Sequence, residues 1–225
     1  MSLLNAQVFA DADELGQFAA QLTTKAAREA IAARGVFHLV MAGGNTPRLC
    51  YEKLRDMDVD WSRTHIWFGD ERCLPVGDAG RNDRMADETL LNYVDIPAAQ
   101  VHRMQAELGP EQAAEKYAAL LADAPVMDMV HLGMGEDGHT ASLFPGHATL
   151  ADDRLAIPEF DSQKAPPQRV SLGLNVLNAA RQKLILAAGA GKSDALKRIQ
   201  AGEKLPVAMI EDALWLLDRT VAGKG

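Results

Sequence analysis

Apolar residues are spaced along the chain in two patterns, one typical of helices and one typical of buried strands. From position 11 to 34 they recur every three or four residues, which predicts a helix. Asp11 and Glu14 can form a capping box at its start, and Gly35 is placed to end it. The run at 36–42, which is apolar except for His38, then predicts a buried strand.

The alternation of strands and helices continues through the rest of the chain. Further strands are predicted at 64–68, 126–132, 169–174 and 183–188. The next predicted helix has Thr46 as its N-cap and Pro47 as its first residue, and it continues towards Arg55. Further helices are predicted at 82–92, from Pro110 onwards and at 193–200, with a short helical turn capped by Asn175. The segment 145–167 is expected to be irregular. This order predicts an α/β fold, Rossmann-like, with a mainly parallel twisted sheet and helices on both faces. We expect a single domain spanning residues 1–225, because no repeat or linker divides it.

Composition and charge exclude several classes of protein. Apolar residues make up 48% of the chain but never form the roughly 20-residue run that a membrane helix needs. Nothing marks the N-terminus for secretion, and Cys50 and Cys73 lie far apart, so we expect a cytoplasmic protein without disulfides. The 23 basic and 31 acidic residues give a net charge of −8, which disfavours nucleic acid as a partner. We expect a monomer that acts on a small molecule.

Three polar loops each follow a predicted strand directly, at 43–47, 69–72 and 133–139. In an open parallel sheet, ligands lie beyond the carboxyl ends of the strands, where these loops meet. In the first loop, Gly43 and Gly44 let the backbone approach a ligand, and the following helix start favours an anion such as phosphate. Any tight strand-to-helix turn uses similar residues, so this loop alone leaves the alternative of a plain turn open.

Two glycine-rich segments are similar to nucleotide-binding motifs, but we reject both assignments. The segment 133–138 matches GxGxxG, but Pro145 follows too soon for the long helix that the dinucleotide fingerprint must open. The segment 189–193 resembles the end of a P-loop, yet Leu186 stands where the first glycine is required. Lys192 remains a candidate to hold a phosphate, against the alternative of a solvated surface lysine.

His139 is the histidine best placed for chemistry. It lies in a polar, glycine-rich loop two residues after Asp137, where an imidazole can reach a ligand and transfer protons near neutral pH. One alternative is that Asp137, His139 and His147 bind zinc, although their spacing matches no common motif. Another is that Cys73, beside Arg72, is an activated thiol, although no histidine is placed by sequence to partner it.

Taken together, the loops resemble those of the 6-phosphogluconolactonase family, whose fold is related to that of glucosamine-6-phosphate deaminase. The segments that carry the resemblance are AGGNTP at 42–47, FGDER at 68–72, LGMGEDGHTASLFPG at 132–146 and KAPPQRV at 164–170. The similarity covers nearly the whole chain. Two residues depart from the family's usual pattern: Asn45 stands where Ser is more common, and Asp83 stands where an aromatic residue is common.

The resemblance implies hydrolysis of 6-phospho-D-glucono-1,5-lactone to 6-phospho-D-gluconate without a cofactor or a metal. His139 is expected to be the general base, with Asp137 orienting it and Arg72 near the carbonyl oxygen or the sugar hydroxyls. The backbone N–H groups of residues 135–138 are an equal alternative as donors to the oxyanion. The residues expected to bind substrate are Gly43, Gly44, Asn45, Thr46, Asp70, Arg169 and Lys192.

Two alternative functions stay open at this point. The first is an isomerase-deaminase for amino-sugar phosphates, but those enzymes usually carry a glutamate at the place where this chain has Phe144. The second is a non-catalytic sugar-phosphate sensor, which would need an output surface or a DNA-binding module. The acidic composition and the absence of a spare domain disfavour the sensor.

Overall fold

The computed structural model describes residues 5–223. Residues 1–4 and 224–225 lie outside this range, and with them the ends of the predicted single domain and the start of the N-terminus that was expected to carry no secretion signal. Its strands are β1 Ala6–Phe9, β2 Phe37–Met41, β3 Thr64–Phe68, β4 Asp70–Arg72, β5 Val101–His102, β6 Met129–Gly133, β7 Ala156–Glu159, β8 Arg169–Leu172, β9 Gln182–Ala187 and β10 Leu214–Asp218. Its α-helices are α1 Ala12–Arg34, α2 Asn45–Leu54, α3 Asn82–Thr89, α4 Pro110–Ala122, α5 Leu174–Ala179 and α6 Ser193–Gln200. None of the helices within residues 5–223 combines the length and the apolar character needed to span a bilayer. The prediction of one domain over the whole chain stays a prediction.

Helix α1 begins and ends as its sequence signals predict. Asp11 caps it by accepting a hydrogen bond from the Glu14 backbone N–H at 2.9 Å, and the Glu14 carboxylate accepts one from Ala10 N–H at 2.7 Å. This reciprocal pair is a capping box. Gly35 then adopts a φ of 81° and ends the helix, a left-handed conformation that favours glycine.

Seven strands form one sheet in the order β1-β10-β9-β6-β2-β3-β5, and every pairing in it is parallel. All five residues of β2 are buried, which is the expected result for a central strand covered on both faces. The helices α1 and α2 pack against each other over the sheet. Tyr117 of α4 donates towards the backbone of β3 and lies edge-on to Trp67. The predicted α/β fold with a mainly parallel sheet is confirmed.

A second sheet of three antiparallel strands, in the order β4-β8-β7, was not predicted. The chain passes from the large sheet to the small one at Gly69. The Gly69 N–H donates a hydrogen bond to Met41 of the large sheet, and its carbonyl accepts one from Leu172 of the small sheet. The expectation of a simple loop at 69–72 is therefore wrong for 70–72, and the expectation of irregular structure at 145–167 misses β7. Both strands have only three or four residues, too few for a periodic signal, and β7 contains Pro158, which edge strands tolerate.

Two predicted helix caps are wrong. Gly44, with a φ of 106°, is the N-cap of α2, and Thr46 lies inside the helix, since α2 already begins at Asn45. Gly173 is the N-cap of α5, and Asn175 lies in its first turn. In both cases a glycine before the polar residue makes the turn, so the helix starts earlier than side-chain capping preferences indicate.

The strand order reverses between β2 and β6. Within this sheet, the strand that follows β2 along the chain is β3, on one side of the pair. The strand of this sheet that follows β6 is β9, on the other side. The carboxyl ends of two such strands leave a crevice between their outgoing loops, which is the usual ligand position in open α/β sheets. The two loops approach closely here, because a Cβ added to Gly133 would lie 3.8 Å from the Gly43 carbonyl oxygen.

A buried histidine on β6 ties the sheet to α1. His131 is fully buried, and its Nε2 lies 2.9 Å from the Thr23 hydroxyl, while its ring stacks on Tyr51 at 5.7 Å between centroids. Burial lowers the pKa of His131 from 6.5 to about 3. The ring is therefore neutral in the folded protein at neutral pH.

We expect this histidine to make the fold sensitive to acid. The pKa of His131 is lower in the folded state, so the unfolded chain binds the proton first as the pH falls below 6.5. Stability should therefore fall between pH 6.5 and 4, by roughly 1–3 kcal/mol from this group. Urea unfolding measured across that range should show a smaller loss in His131→Asn. Thr23→Val keeps the titrating ring and should retain the full pH dependence; an equal dependence in His131→Asn would contradict this assignment.

Candidate active site

A cleft of about 300 Å³ opens at the reversal of strand order between β2 and β6. It is lined by residues 42–47, Asp70, Arg72, residues 133–135 and 139–141, Lys164, Arg169, Leu186, Ala188 and Lys192. Nine of the ten residues predicted from the sequence to form the site are in this lining. The tenth, Asp137, is not in the lining but hydrogen-bonds to His139.

The loop that follows β6 is held in tight turns by its own backbone. Gly135 N–H donates to the His139 carbonyl at 2.8 Å, and Thr140 Oγ1 donates to the Gly133 carbonyl at 2.8 Å. Gly138 has a φ of 84°, and a Cβ there would also lie 2.5 Å from Leu205. No α-helix begins between residues 134 and 147, so the rejection of the dinucleotide motif agrees with the structure.

The His139 ring lies directly over Gly135. A Cβ added to Gly135 would lie 2.0 Å from the ring Nδ1 and 2.2 Å from Cε1, so only glycine leaves room for the ring. On another side the ring contacts Phe144, with 4.7 Å between ring centroids. The imidazole is thus confined between backbone and an aromatic ring, with 15% of its side chain exposed.

Asp137 fixes the tautomer of His139. Its Oδ1 accepts from the ring Nδ1 at 2.5 Å and from the His139 backbone N–H at 3.1 Å. Burial opposes ionisation of Asp137, but these hydrogen bonds outweigh it and hold the pKa of Asp137 well below its usual range. A carboxylate that stays ionised only accepts hydrogen bonds, so the proton of neutral His139 resides on Nδ1. Nε2 is then the ring nitrogen that can accept a proton from a ligand or from water.

Arg169 brings a buried charge to the cleft and forms no ion pair with a carboxylate in the described part of the chain, although more distant carboxylates, Asp70 above all, stabilise the charge. Its side chain is 4% exposed, and Nε and one terminal nitrogen donate to the carbonyls of Pro166, Lys164 and Ala165. Burial lowers the pKa of Arg169, which nevertheless stays protonated as guanidinium. Within residues 5–223 no Asp or Glu oxygen lies within 4.0 Å of it. A buried charge without a partner is costly, so this arrangement favours an anionic ligand.

Three further cations surround the same space. Arg72 donates from Nη1 to the Gly80 carbonyl, and its buried Nε has no hydrogen-bond partner within residues 5–223. Lys192 precedes α6, and burial lowers its pKa. Lys164 was not predicted as a site residue; its Nζ lies 4.0 Å from the exposed Glu136 carboxylate at the mouth of the cleft. The sequence signal that could have identified Lys164 is its position in the KAPPQRV segment, whose backbone accepts hydrogen bonds from Arg169.

Asp70 is the one carboxylate in the lining, and most of its hydrogen-bonding capacity is used within the protein. Oδ2 accepts from Ser142 Oγ at 2.6 Å, and Oδ1 accepts from Asn82 Nδ2 at 3.0 Å. Asp70 is 6% exposed. Neither Ser142 nor Asn82 was predicted as part of the site. Asn82 is remote from the three loops in sequence, whereas Ser142 follows the His139 loop directly but shows no signal of its own.

Two alternatives raised by the sequence are not supported by the geometry. His147 does not join Asp137 and His139, since its Nδ1 lies 2.9 Å from Glu159 Oε2. In the described part of the chain, no three His, Cys, Asp or Glu side chains are grouped so as to hold a metal ion. The pKa of Cys73 is raised to about 11, mainly by burial, so its thiol is not activated.

The chain is similar to known proteins over most of its length. The family model described as glucosamine-6-phosphate isomerases/6-phosphogluconolactonase matches residues 10–217. The 6-phosphogluconolactonase of Mycobacterium tuberculosis is 37% identical over 239 residues, covering 97% of each chain. The solved 6-phosphogluconolactonase of Thermotoga maritima is 29% identical with a TM-score of 0.87, covering 95% of this chain and 98% of its own. A monomeric glucosamine-6-phosphate deaminase, 19% identical with a TM-score of 0.85 and covering 99% and 100%, shares the fold.

We expect Gly135→Ala to displace the His139 ring and to lower turnover by about 10² or more, because an added Cβ and the ring cannot occupy the same space. Steady-state turnover and thermal unfolding should be measured together. Gly69→Ala is the matched control, since its Cβ would meet only ordinary contacts at 3.5 Å and 3.6 Å. Wild-type turnover in Gly135→Ala would show that the ring position described here is not the active one.

Proposed function

This chain belongs to the glucosamine-6-phosphate isomerase/6-phosphogluconolactonase family, and we propose that it hydrolyses 6-phospho-D-glucono-1,5-lactone to 6-phospho-D-gluconate in the oxidative pentose phosphate pathway. The observation that carries the proposal is the pairing of two features in one cleft. A histidine held by a carboxylate faces the same space as Arg72, Arg169 and Lys192. The first feature suits activation of water, and the second suits a phosphate.

The phosphate is assigned to the end of the cleft formed by the start of α2 and by the cations. Gly43, Gly44, Asn45 and Thr46 line the cleft where the first N–H groups of this ten-residue helix have no intrahelical partners. The N-terminal end of a helix favours negative charge. Together with Arg169 and Lys192, it supplies the charge-assisted donors that a phosphate dianion requires.

The lactone carbon is assigned to the space next to His139. Nε2 takes a proton from water, and the hydroxide oxygen forms a bond to C1 of the lactone while the carbonyl oxygen becomes an oxyanion. Arg72, which lines the cleft, is assigned the role of donor to this oxyanion. The C1 to ring-oxygen bond then breaks, and the ring oxygen receives the proton from Nε2. Asp137 stays ionised and stabilises the imidazolium formed between the two proton transfers.

Asp70 is assigned to the sugar hydroxyls rather than to the reacting atoms. Its carboxylate is fixed from behind by Ser142 and Asn82, so an oxygen lone pair that faces the cleft has a defined direction. A carboxylate held in this way binds a hydroxyl without changing its own position.

The deaminase alternative is disfavoured by Phe144. The ring is fully buried and lies against His139, and its other aromatic neighbour is His147 at 5.5 Å. No carboxylate stands at the place where deaminases usually carry the glutamate that supports ring opening. Hydrolysis of a closed lactone ring needs no such group.

The proposal extends to the protein's setting. We propose that it acts in the cytoplasm as a monomer and that it binds neither nucleic acid nor membranes. The net charge of −8 opposes binding to polyanions. Every residue assigned a role above comes from one chain, so the proposed site requires no second subunit.

The direct test supplies both candidate substrates. Freshly made 6-phosphogluconolactone should disappear faster with the protein than by spontaneous hydrolysis, and glucosamine 6-phosphate should release no ammonia. Release of ammonia without lactone hydrolysis would replace the proposed function with the deaminase.

We expect His139→Asn and Lys192→Met to affect different kinetic constants. Loss of the base should lower kcat by about 10²–10⁴ with a small change in KM. Loss of the lysine removes a phosphate contact present before and during reaction, so KM should rise about tenfold while kcat stays within about threefold. Lys192→Met is preferred to a substitution of Arg169, because Arg169 also donates hydrogen bonds to the backbone between Lys164 and Pro166. Near-wild-type kcat in His139→Asn would exclude the proposed base.

We also expect full activity after dialysis against EDTA, because His139 and Arg72 supply the base and the oxyanion donor. Lactone hydrolysis measured before and after chelation is the test. Activity that falls on chelation and returns with zinc would contradict the mechanism and would favour a metal-activated water.

A further inference from the structure

Asn82, the first residue of α3, links two walls of the cleft although it is not part of the lining. Its Nδ2 donates to the Asp70 carbonyl at 2.8 Å and to Asp70 Oδ1 at 3.0 Å. The side chain is 3% exposed. The Asn82 amide group therefore donates both of its hydrogen bonds to Asp70, which is the one carboxylate residue of the cleft lining.

The other end of the same amide lies against Gly43. A Cβ added to Gly43 would lie 1.9 Å from Asn82 Oδ1 and 2.6 Å from Cγ, and the three nearest heavy atoms all belong to Asn82. Gly43 has no positive φ, so its backbone conformation would accept another residue. The requirement for glycine here comes from the Asn82 side chain, not from the turn.

Glu71 holds Asn82 in place. Its carboxylate is 1% exposed and accepts hydrogen bonds from the backbone N–H groups of Asn82 at 2.7 Å, Asp83 at 2.8 Å and Arg72 at 2.8 Å. Two of these donors belong to the first turn of α3, so Glu71 joins that turn to β4. The direction of the Asn82 side chain is fixed from both the helix and the strand.

From Asp70 the contacts continue to the loop of the base. Asp70 Oδ2 accepts from Ser142 Oγ, three residues after His139, and Ser142 is fully buried. One amide thus contacts the phosphate-binding loop directly and reaches the His139 loop through a single carboxylate.

We propose that Asn82 is a positioning residue that sets the distance between the Gly43 loop and Asp70, and so aligns the phosphate end of the cleft with the hydroxyl-binding carboxylate. This inference rests on the proposed function. Asn82 touches no reacting atom; it acts through Gly43 and Asp70. Its loss should therefore weaken binding of the phosphorylated ligand more than it slows the chemical step.

A double-mutant cycle tests the contact between Asn82 and Gly43. Asn82→Ala should raise KM for the lactone and Kd for 6-phosphogluconate about tenfold, with kcat within about threefold. Gly43→Ala alone should raise both about 100-fold, because its methyl group expels the amide. Gly43→Ala combined with Asn82→Ala should be no worse than about tenfold, since the space is then free.

Two further variants separate positioning from general destabilisation. Asn82→Asp keeps the shape of the side chain but replaces the donor with a carboxylate beside Asp70, so binding should weaken at least as much as in Asn82→Ala. It also serves if Asn82→Ala does not fold. Asp83→Asn disturbs the ion pair with Arg81 on the same helix turn, so it should lower the melting temperature while leaving KM unchanged.

Three outcomes would overturn the inference. These are unchanged Kd in Asn82→Ala, a double variant whose loss equals the product of the single losses, or an equal rise of KM in Asp83→Asn. Calorimetric titration with 6-phosphogluconate and with inorganic phosphate keeps this test separate from the proposed function. If the wild-type protein failed to hydrolyse the lactone, the activity would be wrong, and the cycle in phosphate affinity would still decide the role of Asn82.

Discussion

The parallel pairing of β2 with β6, at the place where strand order reverses, is the constraint on which the site depends. It brings two outgoing loops from distant parts of the sequence to one crevice. The loops approach each other at Gly43 and Gly133, and neither residue has a side chain. Gly43 leaves room for Asn82, and Gly135 leaves room for His139. Backbone close approach, rather than a catalytic residue, is thus the first requirement of this architecture.

Charge is distributed so that positive groups remain available in the cleft while negative groups are engaged. Asp137 is bonded to His139, Asp70 to Ser142 and Asn82, and Glu71 to three backbone N–H groups. Arg169, by contrast, donates its hydrogen bonds to carbonyl oxygens. In a chain with a net charge of −8, this local arrangement creates one place suited to a small anion. It also explains how an acidic protein can act on a phosphorylated substrate.

The sequence predicted the features that depend on local signals. The capping box and Gly35 defined α1, and the apolar run at 36–42 defined a strand that the structure places at 37–41. Nine of the ten residues that the resemblance assigned to the site lie in the cleft lining. Features that arise from tertiary contacts were not predictable. The strands β4 and β7 are too short to show a period, and β4 pairs with β8, which lies far from it in the chain. Asn82 shows its role only through its contact with Gly43, which no spacing reveals.

The central claim is that one cleft combines a phosphate site with a base that opens a lactone. Its most direct test compares the catalysed loss of 6-phosphogluconolactone with that of unphosphorylated glucono-1,5-lactone, each corrected for spontaneous hydrolysis. Several charge-assisted contacts act on the phosphate, so kcat/KM should be at least about 100-fold higher for the phosphorylated lactone. Equal values for the two lactones, or no rate above the spontaneous one for either, would contradict the account.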